Sequence, residues 1–121
     1  MFFNINAAYF LIGGISFGVV FMLIMVPIYK RLFKKAKEQN IHTCIDTSGI
    51  TFNPSSERCL AEFDELLKYT DLIMLDIKHI DPAKHIELTE QPNDGILAFT
   101  KYLDEKNVPV WIRHVVVPTL T

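Results

Sequence analysis

Four charged side chains at the ends of apolar stretches are the residues of this sequence best placed to do chemistry. Asp76 and Lys78 stand two apart at the end of Leu72-Ile73-Met74-Leu75-Asp76-Ile77-Lys78-His79. Asp46, next to Thr47, closes Ile41-His42-Thr43-Cys44-Ile45-Asp46-Thr47, and Arg113, next to His114, interrupts Val108 to Val117. An acid and a base on an otherwise apolar strand are costly to bury without each other, a ligand or an ion. Two carboxylates with a hydroxyl and backbone carbonyls nearby are hard oxygen donors for a hard cation. Lys78 and Arg113 suit an anionic group such as a carboxylate or phosphate. A plain salt bridge between Asp76 and Lys78 is the simpler reading of that pair alone.

Other chemistries find less support. His42, His79, His85 and His114 show neither H-x-x-x-H nor H-E-x-x-H spacing, so a zinc site is not expected. Gly13-Gly14 and Gly18 do not make a phosphate-binding loop. Cys44 and Cys59 are the only cysteines. They form no C-x-x-C pair and no secreted disulfide framework, which points to a reducing compartment. Cys44 is expected in the core, His42 in a structural role and Trp111 as a packing residue of its strand. The net charge of −2 carries no nucleic-acid footprint.

The elements that position these residues read as helix and strand in alternation. Good helix formers over Leu32 to Gln39 end at Asn40. The strand Ile41 to Thr47 is broken by Ser48-Gly49. Ser55 or Ser56 caps a helix running to about Tyr69, with Leu60, Phe63, Leu66 and Leu67 on one face. Leu72 to Lys78 follows as a strand, with Ile73, Leu75 and Ile77 on one face and Met74, Asp76 and Lys78 on the other. Asp81-Pro82 opens a short helix carrying His85 and Leu88, Gln91 to Asp94 starts another reaching Glu105, and Val108 to Val117 is the last strand. Such alternation predicts a parallel sheet with right-handed crossovers, whose ligands collect at the carboxyl ends of the strands. Asp46, Thr47, Asp76, Lys78 and Arg113 should therefore meet at one edge.

The front of the chain is different in kind. Met1 to Tyr29 contain no charged residue and no histidine. Ala7 to Ile28 is a 22-residue uncharged run, long enough to cross a bilayer, followed at once by Lys30, Arg31, Lys34 and Lys35. Gly13-Gly14 and Pro27 also permit a short buried strand at Gly14 to Phe17 followed by a helix. Residues 1–31 are treated as one hydrophobic segment and 32–121 as the α/β unit.

Leu32 to Gly49, Leu66 to Asp81 and Val110 to Pro118 together resemble the pyruvate formate-lyase activating enzymes. The resemblance implies an incomplete parallel (β/α) barrel of the radical S-adenosylmethionine type, preceded by a hydrophobic helix. It implies S-adenosylmethionine cleaved reductively at a [4Fe-4S] cluster, pyruvate formate-lyase as partner and a cytoplasmic location; the alternative is a membrane-anchored chain with its charged part in the cytoplasm. It assigns Asp46, Thr47, the Met74 carbonyl and Asp76 to a monovalent-cation site. Asp76, Ile77 and Lys78 become a cofactor contact, with Lys78 facing the cofactor's carboxylate, and Arg113 faces the substrate glycine loop.

The sequence departs from that family in several places. No C-x-x-x-C-x-x-C is present, Glu90 replaces a glycine in L-T-G-Q-P, and Thr119-Leu120-Thr121 stand where a glycine and an acidic run belong. Gly13-Gly14-Ile15-Ser16-Phe17 resembles a family strand, yet Gly18-Val19-Val20-Phe21 stands where S-G-G-E belongs. The expectation is an internal fragment that is inactive alone, with a front end that is corrupted, fused or membrane-spanning.

Overall fold

The computed structural model describes residues 26–119 and 121. Its elements are a helix α1 over residues 26–38, β1 (Cys44–Thr47), α2 (Glu57–Leu67), β2 (Leu72–Asp76), α3 (Pro82–Thr89), α4 (Asp94–Glu105) and β3 (Val110–Arg113). The expected membrane span over residues 7–28 lies almost wholly outside the described residues. Among those described, no helix is long and apolar enough to cross a membrane.

Local chemistry sets the helix ends. The Ser56 hydroxyl accepts the Cys59 N–H at 3.2 Å, leaving α2 with an acidic first turn at Glu57. Asp81 accepts the Lys84 N–H at 3.0 Å, and Pro82 supplies the fixed φ of the first turn of α3. Asn40, at φ 55°, closes α1, and the Ile41 N–H reaches back to the Ala36 carbonyl at 2.9 Å. Glu90 closes α3 at φ 59°, the left-handed conformation that a glycine adopts without cost.

The three strands are parallel and lie in sequence order, β1-β2-β3. One face of the sheet is packed: Ile73 and Leu75 are buried beneath Phe99, Tyr102 and Leu103 of α4, with Leu60 and Phe63 of α2 and Ile45, Ile77 and Val110 at the margin. Phe52, from the loop after β1, stacks into this layer with ring centroids 4.9 Å from Phe99, 5.0 Å from Tyr102 and 5.5 Å from Phe63. Such offset aromatic contacts add to the area term. The alternation read for β2 is therefore the one the fold uses.

Several expectations need correction. β1 is shorter than Ile41 to Thr47, because Ile41 completes the cap of α1 and Thr43 is bonded to Asp71 instead. β2 ends at Asp76 rather than Lys78, and α2 at Leu67 rather than Tyr69. β3 ends at Arg113, and residues 114–117 leave the sheet exposed, since β2 offers them no further ladder. Cys44 is exposed, not in the core, and Trp111 is 66% exposed, not packed. His42 is exposed as well. Cys44 and Trp111 share one cause: both point to the face of the sheet that carries no helix layer among the described residues.

Candidate functional site

The sheet face without a helix layer among the described residues carries Asp46, Asp76 and Arg113, and Lys78 reaches Asp76 from just beyond β2. Register pairs Asp46 with Met74, Met74 with Trp111 and Asp76 with Arg113. Paired residues of a parallel sheet point the same way, so Cys44, Asp46, Met74, Asp76, Trp111 and Arg113 line one surface. Arg113 ties it together. Its Nε donates to Asp76 at 2.7 Å and a terminal nitrogen to Asp46 at 2.6 Å. Lys78 Nζ donates to the other Asp76 oxygen at 3.1 Å. Asp76 thus faces two cations, and the Arg113 bond above all holds its carboxyl below the usual range, with Lys78 adding to this against partial burial. The same bond raises Arg113.

Thr47 is the residue the strand does not bring to this cluster. Alternation turns its side chain away from Asp46, and its hydroxyl accepts the Gly49 N–H at 3.0 Å in the turn that follows. Gly49 sits at φ 71° with Phe99 and Leu75 against it, so the turn is pinned to the core. Met74 lies between Asp46 and Trp111 in the register and is half-buried. Among the described residues, no three His, Cys, Asp or Glu side chains come together in a metal-binding group.

The segment following β2 is held on both sides of Lys78. The Ile77 N–H donates to the Arg113 carbonyl at 3.0 Å, and His114 Nδ1 lies 2.8 Å from the Ile77 carbonyl. Asn93 Nδ2 donates to both the His79 and the Ile80 carbonyls at 3.0 Å. Asn93 was legible in the sequence only as a helix start. A second network, also unforeseen, anchors the amino end of β2: the Asp71 carboxylate accepts from Lys37 Nζ at 2.5 Å, the Thr43 N–H at 2.8 Å and the Thr43 hydroxyl at 3.1 Å. These lower the Asp71 pKa to about 2, with the Lys37 bond contributing most.

The sequence pattern of the Radical SAM superfamily matches residues 5–121. The chain belongs to the radical SAM superfamily. Its radical SAM match starts ahead of the uncharged run at residues 7–28 and passes through it. The chain is 49% identical over 111 residues to a pyruvate formate-lyase-activating enzyme of Staphylococcus epidermidis, covering 90% of this chain and 43% of that protein. It is 47% identical over 106 residues to the enzyme of that name from Staphylococcus aureus, covering 88% and 42%. The chain therefore spans less than half the length of these relatives. A solved domain of pyruvate-formate lyase-activating enzyme from Bacteroides vulgatus superposes with a TM-score of 0.64 at 22% identity, over 81% of this chain and 56% of that one. That likeness concerns the fold: a mixed α/β radical SAM domain whose parallel sheet forms an incomplete barrel.

The residues present do not fit an iron–sulfur cluster. Such clusters are held by several thiolates, and this sequence has two cysteines. Cys44 is exposed on the face that bears no helix among the described residues, whereas Cys59 packs at the core margin in α2, where its sulfur accepts the Asn53 N–H at 3.4 Å. Opposite faces of a sheet cannot supply one cluster.

Proposed function

We propose that this chain is part of an activating enzyme for pyruvate formate-lyase and carries one wall of its S-adenosylmethionine site. Whole enzymes of that kind make a glycyl radical on their partner by cleaving S-adenosylmethionine reductively at a [4Fe-4S] cluster. The observation that carries the reading is the cluster of Asp46, Asp76, Lys78 and Arg113 at the sheet face that bears no helix among the described residues, in a chain nearly half identical to such enzymes. S-adenosylmethionine ends in an ammonium and a carboxylate. Lys78 commits one donor to Asp76 and has three in all, which leaves it able to take the ligand's carboxylate. Asp46 and Asp76 supply the oxygens for a monovalent cation beside it, with the Thr47 and Met74 backbone completing the set, and the Ile77 backbone lies against the ligand between Asp76 and Lys78. Arg113, across from Asp76, faces the glycine segment of the partner lyase.

Because the cysteines do not fit a cluster, this chain binds without turning over. Calorimetric titration of S-adenosylmethionine into the full chain is expected to give saturable heat that is lost in Asp76→Ala. Heat of the same size in that variant overturns the reading. A glycyl-radical signal from pyruvate formate-lyase incubated with the chain, S-adenosylmethionine and a reductant would overturn the proposed inactivity. The superfamily match through residues 7–28 favours a barrel origin for that segment over a membrane anchor. Retention of the chain in bilayers after an alkaline wash would reverse that preference.

A further inference from the structure

The geometry points to Asn93 as a positioning residue for Lys78, acting through the backbone of His79 and Ile80. This rests on the proposed S-adenosylmethionine site and extends it to the residue that precedes α4, outside the charged cluster. Asn93 is 1% exposed and occupies the N-cap position of α4. Asparagine at that position ordinarily turns its side-chain oxygen onto the first free N–H groups of the helix. Here it makes no side-chain cap. The side chain turns back instead, and Nδ2 donates to two successive carbonyls at 3.0 Å each. Two carbonyl oxygens can only accept, so the group between them is the amide nitrogen. The Asn93 Oδ1 is left buried with no hydrogen-bond partner. An asparagine that gives up its cap and strands an oxygen in the interior is a poor choice for stability alone. What it secures is the path of the chain just beyond Lys78.

That path matters because Lys78 lies past the end of β2, where no ladder fixes it. On one side Ile77 is held by the Arg113 carbonyl and His114. On the other, the Asn93 clasp, the bond from the Asp81 N–H to His79 Nδ1 at 3.0 Å and the N-cap of α3 at Asp81 hold the backbone. Asn93 is itself held. His85, 2% exposed, has Nδ1 at 2.7 Å from the Gln91 carbonyl, and the Thr89 hydroxyl donates to the His85 carbonyl at 2.7 Å. The turn from α3 into α4 is thereby fixed to the body of α3. Side-chain geometry at Lys78 follows from backbone placement at residues 77 to 80.

Two measurements on the full chain test this. Without ligand, Asn93→Ala and the isosteric Asn93→Asp should both speed amide hydrogen exchange at Ile77 and Asp81, the hydrogen-bonded N–H groups that bracket the clasp, by about tenfold or more, the loss expected for an unmade buried hydrogen bond. Ile73 to Leu75 should keep their protection. Unchanged exchange at Ile77 and Asp81, or equal acceleration in the core strand, overturns the clasp. In calorimetry, Asn93→Ala should weaken S-adenosylmethionine about tenfold and have no further effect in a Lys78→Ala background. Losses that add independently overturn a role through Lys78. If the parent chain gives no saturable heat, the binding-site reading has failed along with the role in binding, and hydrogen exchange alone decides the clasp.

Discussion

Arg113 and Asp76 are register partners across β2 and β3, and a 2.7 Å bond runs from Nε to the carboxylate. The Asp76 carboxyl lies below the usual range, chiefly through Arg113. In Arg113→Gln the Asp76 carboxyl should titrate at higher pH than in the parent, followed by carbon NMR of the side chain. The sign for stability follows: a depressed folded pKa contributes above the unfolded value of about 3.9 and is lost as pH falls through the folded one. The variant should lose this part of its stability at neutral pH and show a shallower decline in acid.

A monovalent cation at Asp46 and Asp76 has to compete with the guanidinium that now bridges them. Potassium should therefore shift the Arg113 Nε–H resonance saturably, and Asp46→Asn should abolish the saturation. A shift that only tracks ionic strength, equal for any salt, argues for plain screening of exposed charges.

Asp71 offers a cleaner pH test away from the site. Its pKa is lowered to about 2 by Lys37, then by the Thr43 N–H and hydroxyl. The stability it contributes is complete above the unfolded value near 3.9 and vanishes as pH falls towards about 2. Asp71→Asn should thus flatten the dependence of the urea midpoint on pH between roughly 4 and 2, while lowering the midpoint at neutral pH.

Glu90 holds φ 59° and ψ 16° at the end of α3. A side chain in this left-handed conformation is disfavoured by about 1 kcal/mol relative to glycine. Its N–H bond to the Ile86 carbonyl at 2.8 Å involves only backbone. Glu90→Gly should raise stability by about 1 kcal/mol in urea unfolding, with the slope unchanged. A destabilised variant would mean that the Glu90 side chain contributes something these contacts do not account for.

Much of the fold can be read from local pattern. Ser56 and Asp81 cap helices because each presents an oxygen to free N–H groups two or three residues on. Asn40 closes α1 because asparagine tolerates positive φ. Ile73 and Leu75 face the helices, while Met74 and Asp76 face away, because side chains alternate along a strand. Those rules depend on neighbours within a few residues, so the chain carries them in plain view, and they sufficed to send Asp46, Asp76 and Arg113 to one edge.

What the local pattern could not contain was pairing at a distance and the covering of faces. The bond from Arg113 to Asp46 spans 67 residues and exists because β1 and β3 flank β2 in a particular register. Cys44 and Trp111 looked like core residues because a strand in isolation does not say which of its faces receives a second layer; here α2 and α4 cover only the other one. Thr47 fell outside the charged cluster because one step along a strand reverses the side chain. Asn93 looked like an ordinary helix start, and only the packing of α4 against the segment after β2 put its amide between two carbonyls. Amino-acid order alone determined the order of the elements, the caps at Asn40, Ser56 and Asp81 and the apolar faces, through interactions a few residues long. Tertiary structure decided which charges meet and which surfaces are covered, because those depend on where distant segments come to rest.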